Sequence, residues 1–417
     1  MLATIRSNPE VLFSHKMFEF SLRVTGFIYQ DDMNCPNTGA EFTALWRLYC
    51  DTMKKSAGMR VLKNHISNRV FDSVKRPTYG YIIITSLCNS RCKYCDMWKN
   101  KGENEPNTEE WKRIIDELVN LGVVLLTFSG GEPFIREDLF ELASYAKSQG
   151  LITTVVTNLS LFKESYIEKI AESFDFFGIS IDSTRPGIYK EIRGVDWLER
   201  TKENVHKIMA GLIELKADVQ VCGMVTLHNR NADEMHDLIH MIFDDLRMDT
   251  ISFNLLDPSG GETAKEFTPT DDQITYIKKV ILDHKSLYPI SNSTRFLSQL
   301  GNFDYRCNPW KCVQINEKGF LIAPCLPLTA KPGIFPDGRK IDLRKNKLSD
   351  TWTEIQEIYS KYANCKLCNL GCVVESAWST YDLKFVINDS FFGSILPTMK
   401  RISERNNGGH SSHKIAN

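Results

Sequence analysis

Residues 81–96 read Tyr-Ile-Ile-Ile-Thr-Ser-Leu-Cys-Asn-Ser-Arg-Cys-Lys-Tyr-Cys-Asp, an apolar run followed at once by three cysteines, Cys88, Cys92 and Cys95. Thiolates are the soft ligands that iron–sulfur centres prefer. Three thiolates hold three irons of a four-iron cube, so the fourth iron stays open to a small chelating ligand. The segment therefore predicts a buried strand that leads into a loop binding a reactive [4Fe–4S] cluster.

Three other kinds of cysteine site compete with this interpretation. A structural zinc site normally has four ligands, and no fourth cysteine or histidine lies near 88–95. An electron-transfer cluster of the ferredoxin type would need a fourth cysteine from far along the chain. A disulfide framework needs an exported protein, and residues 1–13 lack the basic start and apolar core of a signal peptide. A non-catalytic iron–sulfur or zinc protein, acting as electron carrier or scaffold, is therefore the alternative function.

The composition of the 417-residue chain, 42% hydrophobic and 25% charged, is that of a globular protein. A formal net charge of −1 gives no general attraction to nucleic acid, and no basic stripe with interleaved aromatic residues indicates nucleic-acid binding. Of the twelve cysteines, three lie at 88–95 and six at 307–372. Grouped thiols in a chain without an export signal favour metal binding, and we expect a reducing, cytoplasmic location.

From residue 79 onward, apolar runs alternate with helical patterns. Six runs have the length and composition of buried parallel strands: 81–85, 123–128, 152–156, 176–181, 219–226 and 250–255. The helical patterns between them cover 108–120, 137–149, 164–173, 199–215 and 232–246. Thr108 is typical of a capped helix start, and Gly122 or Gly150 of a stop just past a helix. This alternation predicts the α/β class and an open (β/α)6 partial TIM barrel, in which ligands bind at the carboxyl ends of the strands.

The second predicted strand is followed by Gly130, Gly131, Glu132 and Pro133. Adjacent glycines let the backbone approach a ligand closely, and an acid beside them can bind an ammonium group. Alone, this segment could equally be a plain turn. Together with the CxxxCxxC spacing of the cysteines, it resembles the GGEP motif of the radical S-adenosylmethionine (radical SAM) enzymes.

The resemblance implies that SAM chelates the open iron, that one electron cleaves it to a 5′-deoxyadenosyl radical, and that this radical takes hydrogen from a substrate carbon. The implied substrate is a peptide, or a small sugar-like or lipid molecule, and the implied electron donor is a flavodoxin or ferredoxin. The implied SAM contacts come from the loop and the strand ends: Tyr94, Gly130, Gly131, Glu132, Pro133, Asn158, Ser180, Asp182 and Arg193. Of these, Ser180 and Asp182 would meet the ribose or methionine part, and Arg193 the carboxylate. The glycine-rich segment that the family often has on its fifth strand is reduced here to Val-Cys-Gly-Met-Val at 221–225.

A second group of cysteines follows the predicted barrel: Cys307, Cys312, Cys325, Cys365, Cys368 and Cys372. Residues 314–322 predict a hairpin with its turn at 317–319, and 352–362 predict a helix. Hairpin, helix and Cys-x-x-Cys resemble the SPASM and twitch domains behind many radical SAM barrels. The resemblance implies one auxiliary [4Fe–4S] cluster on Cys307, Cys325, Cys365 and Cys368, with Cys312 and Cys372 as replacements or as ligands of an incomplete second cluster. A structural zinc on four thiolates fits the same spacing.

These patterns divide the chain into four parts. We expect an N-terminal helical extension at 1–76, the radical SAM partial barrel at 77–290, the auxiliary cluster domain at 300–380, and a tail at 381–417 with a disordered end. Within the extension, Phe42, Leu45, Trp46, Tyr49 and Met53 recur at helical spacing. Such a helix would cover the barrel, although the basic residues around it also allow peripheral contact with a membrane surface.

Overall fold

The computed structural model describes residues 75–258, 261–305, 307–323, 325, 338–361 and 396–407. The helix expected at 42–53 lies outside the described residues, and so do Cys365, Cys368 and Cys372. Within the described ranges, no helix combines the length and the apolar character needed to cross a membrane.

In the part of the chain that the structure describes, eight strands form a single sheet in the order β6-β5-β4-β3-β2-β1-β7-β8. They are β1 (Tyr79–Thr85), β2 (Leu125–Gly130), β3 (Ile152–Thr157), β4 (Phe176–Ser180), β5 (Gln220–Leu227), β6 (Thr250–Leu255), β7 (Cys312–Ile315) and β8 (Leu321–Ile322). Strands β1 to β6 pair in parallel with their neighbours, and each lies within two residues of its expected bounds. The expected open (β/α)6 partial barrel is therefore confirmed.

Ten α-helices accompany the sheet in the described ranges. They are α1 (Thr108–Leu121), α2 (Leu139–Ser148), α3 (Ile167–Ser173), α4 (Pro186–Arg193), α5 (Leu198–Glu214), α6 (Met235–His240), α7 (Asp271–Lys285), α8 (Thr294–Ser298), α9 (Leu348–Lys361) and α10 (Leu396–Asn406). The sequence pattern did not predict α4. This helix has only eight residues, starts at a proline and is followed by Gly194, which has the left-handed conformation. Arg193, its last residue, is important for the site described below.

Helix α1 shows why the sequence folds in this way locally. Its N-cap is Asn107 and not the expected Thr108: the Asn107 side chain accepts from the Glu110 amide, and the Glu110 side chain accepts from the Asn107 amide. The expected stop at Gly122 is confirmed, because this glycine takes a φ of 106° that other residues avoid. Trp111 lies on the inner face of the helix and is fully buried.

The expected helix at 232–246 is divided into three kinds of helical turn. A 3-10 turn at Ala232–Glu234 leads into α6, and a π-helical turn at Met241–Asp245 follows. The wider π turn changes which side chains share a face of the helix. A sequence pattern based on 3.6 residues per turn does not predict this change.

The expected hairpin is present as β7 and β8, which pair antiparallel around Gly319. Sequence reasoning missed the partner of this hairpin: β7 pairs in parallel with β1, with Tyr79 opposite Cys312 and Tyr81 opposite Gln314. The hairpin therefore continues the barrel sheet, and it places Cys312 beside the strand that leads into the Cys88 loop.

The core lies between the sheet and the helices. Ile82, Phe128, Phe177 and Phe253 point from four strands into it and are fully buried. Burial of each such side chain contributes about 1.5–3 kcal/mol. This packing fixes the strands relative to one another, so that their carboxyl ends lie side by side.

Candidate functional site

The three cysteines of the loop follow the carboxyl end of β1, as expected, and Cys88, Cys92 and Cys95 are half-buried free thiols. The backbone of this loop, residues 86–96, is joined to the end of α4. The Arg91 amide donates to the Arg193 carbonyl at 3.0 Å, and the Lys93 amide donates to the Ile192 carbonyl at 2.9 Å. The loop is therefore held in one shape by a helix more than ninety residues later in the chain.

Gly130 and Gly131 allow the end of β2 to pack directly on the cysteine loop. A Cβ atom on Gly131 would lie 2.0 Å from the Leu87 carbonyl oxygen, and one on Gly130 would lie 2.3 Å from the Thr85 carbonyl oxygen. Next to them, the Glu132 amide donates to the Leu87 carbonyl at 2.7 Å. The close approach that the glycine pair permits is therefore an approach to the loop itself.

The Glu132 carboxylate is buried and makes hydrogen bonds to the ends of β2 and β3. It accepts from the Thr157 hydroxyl at 2.6 Å and from the amides of Asn158 at 2.8 Å and Phe134 at 3.1 Å. Burial raises the pKa of the Glu132 carboxyl, and these donors act in the opposite direction. Both carboxylate oxygens thus already have partners within the protein, while Pro133 begins a short 3-10 turn beside them.

The Asn158 side chain connects the end of β3 to the cysteine loop. Its amide nitrogen donates to the Asn89 side-chain oxygen at 2.9 Å and to the Ser90 hydroxyl at 3.2 Å, and its oxygen accepts from Ser160. Ser90 and Asn158 are both buried. The amide expected to contact a ligand is therefore engaged in fixing the loop between Cys88 and Cys92.

A buried ion pair lies behind the loop. The Arg193 guanidinium is 2.6 Å from the Asp182 carboxylate, which also accepts from the Tyr94 hydroxyl at 2.5 Å and from the Thr226 amide at 2.9 Å. Burial disfavours the charged guanidinium, but Asp182 and its neighbours more than offset this and raise the pKa of Arg193. A second guanidinium nitrogen is 3.9 Å from the Cys92 sulfur, so a fixed positive charge lies against the loop.

This arrangement changes the roles expected for the fourth strand end. Asp182 and Arg193 are brought together and pair with each other, whereas the sequence suggested separate contacts to a ligand. Ser180, the last residue of β4, is half-buried. The Arg193 Nε atom is buried and has no hydrogen-bond partner among the described residues, which leaves one donor of the guanidinium available to a bound group.

His228 is a site residue that sequence reasoning missed. It directly follows β5, its side chain is fully buried, and its ring centroid is 6.1 Å from that of Tyr94. Its Nδ1 accepts from the Arg230 amide at 3.1 Å, so the neutral ring carries its proton on Nε2, which has no partner among the described residues. Burial lowers the pKa of His228 to about 4. The available signal was the position of this polar residue directly after a strand, as at Asn158.

The thiols of the loop suit a metal cluster better than a single ion. Burial raises the pKa of Cys88 to about 11 and of Cys92 to about 12, while Arg193 opposes both shifts. Such thiols lose their protons to a metal that binds them and otherwise remain neutral at physiological pH. A structural zinc ion needs four protein ligands, whereas three cysteines can each bind a separate iron of a cube.

In the second cysteine group, Cys307 and Cys312 are buried and Cys325 is half-buried. Burial is the main cause that raises the pKa of Tyr359 in α9. The Cys312 and Cys325 thiols lie close enough to Tyr359 to raise this pKa further. The Tyr359 hydroxyl is fully buried and has no hydrogen-bond partner among the described residues. A buried hydroxyl that has no partner among the described residues and lies near two cysteines fits a site that holds an additional acceptor, such as the sulfides of a cluster.

A cavity of about 310 Å³ opens on the outer side of the cysteine loop. Its lining residues are Arg91, Cys92, Lys93, Asp96, Trp98, Lys99, Gly194 and Thr263. Lys99 pairs with Asp96 and Glu262, whereas the exposed Arg91 and Lys93 have no ion pair among the described residues, so these two give the rim next to Cys92 its positive charge.

Comparison with known proteins finds a family model that matches part of the barrel. Residues 82–242 match the model of the radical SAM superfamily. Fe-coproporphyrin III synthase of Methanosarcina barkeri is 34% identical over 148 residues, which are 33% of this chain and 36% of that protein. PqqA peptide cyclase of Bradyrhizobium diazoefficiens is 30% identical over 164 residues, 39% of this chain and 42% of that protein. The chain thus spans less than half the length of these two relatives.

Among solved structures, Streptococcus suis SuiB bound to S-adenosylmethionine has a similar fold. The TM-score is 0.58 at 16% sequence identity, and the match covers 74% of this chain and 75% of SuiB. At this identity the likeness concerns the fold, and it extends beyond the barrel.

Proposed function

We propose that this chain, which carries a radical SAM domain over residues 82–242, is an enzyme that holds a [4Fe–4S] cluster and SAM at the cysteine loop and modifies a peptide. The observation that carries the proposal is the loop itself: three half-buried thiols at a strand end, with the Arg193 guanidinium 3.9 Å from the Cys92 sulfur. When bound, the cluster and SAM supply one-electron cleavage of the sulfonium and a 5′-deoxyadenosyl radical that takes hydrogen from an unactivated carbon.

The protein residues keep the cluster ligands in place and balance their charge. Cys88, Cys92 and Cys95 would each hold one iron, and Arg193 would offset part of the negative charge of the thiolates. Asp182 keeps that guanidinium in position, since the pair is only 2.6 Å apart and Asp182 is fully buried. A fixed positive charge beside a cluster favours its reduced state, which is the state that the reaction needs.

The SAM contacts proposed from the sequence divide into two kinds. Gly130, Gly131 and Pro133 would offer backbone, and Ser180 a hydroxyl, whereas the Glu132, Asn158 and Asp182 side chains would act by shaping the loop. Arg193 Nε and His228 Nε2 are buried donors with no partner among the described residues, and they would bind acceptor atoms of SAM next to Tyr94. Leaving such donors unpaired costs about 1–3 kcal/mol each, so a ligand that pairs them gains affinity.

We assign the second cysteine group to an auxiliary cluster, with Cys307, Cys325, Cys365 and Cys368 as ligands and with Cys312 and Cys372 as replacements or as ligands of an incomplete second cluster. The buried Tyr359 hydroxyl near Cys312 and Cys325 supports a cluster at this place. An electron acceptor there would favour oxidation of the substrate radical, and we therefore propose an oxidoreductase rather than a transferase. The domain division at 77–290 and 300–380 remains part of this proposal, with β7 of the second part completing the sheet of the first.

Reducing equivalents would come from a flavodoxin or ferredoxin that docks at the rim of the cavity beside Cys92. Exposed Arg91 and Lys93 give this rim the positive charge that complements such acidic electron carriers. A double substitution of Arg91 and Lys93 by Gln is expected to slow reduction by flavodoxin while leaving reduction by dithionite unchanged.

The first experiment is an anaerobic reconstitution with iron and sulfide, followed by SAM and dithionite. We expect 5′-deoxyadenosine from the wild type, with roughly eight irons per chain. The variant with Cys88, Cys92 and Cys95 changed to Ala should hold roughly four irons and release no 5′-deoxyadenosine. Cys222→Ala is the matched control, because Cys222 is buried inside β5, away from both groups. Full iron loading without SAM cleavage would favour the electron carrier or scaffold.

The substrate class is tested with extract from the source cells. A fraction that stimulates 5′-deoxyadenosine release should lose this effect after digestion with a protease if the substrate is a peptide. Stimulation that survives digestion would instead identify a small molecule, as the similarity to Fe-coproporphyrin III synthase also allows.

A further inference from the structure

Three histidines come together on the helices that cover β5 and β6. His236 and His240 are one turn apart on α6, and His284 is in the last turn of α7. One possible ligand nitrogen from each residue lies within 4.8 Å of the other two. The ring centroids are 4.4, 4.9 and 5.8 Å apart, so the three imidazoles form one compact group.

Hydrogen bonds fix the tautomers of two of these rings. His284 Nδ1 is 2.8 Å from the Val280 carbonyl oxygen, which can only accept, so Nδ1 carries the proton and Nε2 keeps its lone pair. His240 Nδ1 is 2.6 Å from the Asp244 carboxylate, and the same reasoning leaves the lone pair on its Nε2. A metal-binding histidine normally donates its second N–H to a carboxylate or a carbonyl in this way.

The Asp244 carboxylate, which orients His240, is itself contacted by Tyr288 from the segment that follows α7. The Tyr288 hydroxyl is 3.2 Å from the Asp244 carboxylate. The Tyr288 ring stacks on Phe243 with centroids 4.8 Å apart and an interplanar angle of 14°. Phe243 and Asp244 both lie in the π-helical turn at Met241–Asp245, so this irregular turn presents Asp244 to His240.

We propose that His236, His240 and His284 bind one zinc ion, which ties α6 to α7. Tetrahedral zinc binds histidine nitrogens at about 2.0–2.1 Å, which puts its ligands about 3.4 Å from one another. Side-chain rotation would close the remaining gap from 4.8 Å, and the His236 side chain, which is 58% exposed, has room on its solvent side for such a rotation. Water fills the fourth position. The site uses none of the cysteines, and zinc has no redox chemistry that low-potential reactions at an iron–sulfur cluster would disturb.

The alternative is that the imidazoles merely pack against one another on the surface. His284 does stack on Tyr288, with an interplanar angle of 16°. Simple packing, however, does not require the Nδ1 atoms of His240 and His284 to be engaged by acceptors while their lone pairs remain available. The two readings differ in whether the folded protein retains a zinc ion bound by nitrogen.

The test uses the full chain with its cysteines loaded with iron under anaerobic conditions. One equivalent of Zn²⁺ is added, loosely bound metal is removed on a chelating resin, and zinc is counted by mass spectrometry. X-ray absorption at the zinc edge then identifies the ligands, because zinc–nitrogen distances are about 2.0–2.1 Å and zinc–sulfur distances about 2.3 Å. We expect one zinc per chain with a nitrogen and oxygen shell and no sulfur shell.

The variants are chosen so that loss of zinc is distinct from loss of the fold. His240→Gln and the exposed His236→Gln should each lose the retained zinc while keeping wild-type thermal unfolding in the absence of zinc. His206→Gln, which removes a half-exposed histidine of α5 outside the group, should keep it. Asp244→Asn should weaken the zinc affinity about 10–100-fold. A wild type that retains no zinc, a sulfur shell, or equal zinc in all variants would overturn the proposal.

Discussion

Gly131→Ala is expected to displace the cysteine loop. The new Cβ would lie 2.0 Å from the Leu87 carbonyl oxygen, 2.5 Å from its carbonyl carbon and 2.9 Å from the Ser86 carbonyl oxygen. All three are backbone atoms, and real Cβ atoms essentially never come closer than 3.0 Å, so the loop or the β2 end must move by at least about 1 Å. Gly131 does not have a positive φ, so the effect is steric and does not come from backbone strain at the glycine.

Misplacement of reacting groups by about 1 Å can cost about 100-fold in rate. We therefore expect 5′-deoxyadenosine release to fall about 100-fold or more, with a loss of stability of about 1–3 kcal/mol, the usual cost of overpacking. The assays are iron content, 5′-deoxyadenosine release and urea unfolding of the anaerobically reconstituted protein.

Gly187→Ala is the matched control for this substitution. Gly187 lies in the first turn of α4, the helix that ends at Arg193, and a Cβ there would meet nothing within 4 Å. Because alanine favours a helix more than glycine does, this variant should be as stable as the wild type or up to about 1 kcal/mol more stable. If Gly131→Ala kept wild-type iron content and turnover, the proposed contact between the glycine turn and the cysteine loop would be refuted.

Three further predictions concern the charged and polar groups around the two cysteine sites. Arg193→Gln should destabilise the fold by about 3–5 kcal/mol in urea unfolding, because it leaves the Asp182 carboxylate buried without its counter-charge; adding Asp182→Asn should recover much of this loss. Since burial lowers the pKa of His228 to about 4 from an unfolded value of about 6.5, the unfolded chain binds the extra proton first as pH falls. Stability should therefore fall by up to about 3 kcal/mol between pH 6.5 and pH 4, and His228→Gln should flatten this part of the pH profile; an unchanged slope would show that His228 titrates normally in the fold. Tyr359→Phe should lower the midpoint potential of the auxiliary cluster, since it removes a hydroxyl donor near Cys312 and Cys325, and the signals of the other cluster should not change.

The strands were predictable because the residues that determine each strand lie within the strand or next to it in the sequence. In residues 250–255 the apolar residues Ile251, Phe253 and Leu255 alternate with polar ones, and β6 has these bounds in the structure. The start of β2 was placed too early because Val123 and Val124 are as apolar and as buried as the strand itself, although they belong to the connection before it. Apolar content indicates which residues are buried. It gives the end of a strand only where burial and the hydrogen bonds of the sheet end at the same residue.

The pairing of β7 with β1 and the side-chain partners in the site were not predictable from local patterns. Cys312 lies opposite Tyr79, more than two hundred residues earlier in the chain, and no short-range signal encodes that pairing. Asp182 and Arg193 were each correctly singled out as unusual polar residues near a strand end. A charged residue at such a position can contact a ligand, form an ion pair or do both, and the sequence did not indicate that these two residues pair with each other at 2.6 Å.

The short distance between Arg193 and Asp182 also bears on how the cysteine loop balances the negative charge of a bound cluster. If a cluster with three thiolates forms at the loop, a buried site must balance the added negative charge, and Arg193 is the cation that the structure places against Cys92. Asp182 accepts from Tyr94 and from the Thr226 amide as well as pairing with Arg193, so it keeps hydrogen-bond donors even when the guanidinium shifts toward the sulfur. Arg193 could thus interact more strongly with the cluster without leaving a bare carboxylate in the core. This sharing of one cation between a carboxylate and a thiolate explains why the ion pair lies at the end of α4, where the helix backbone also holds the loop.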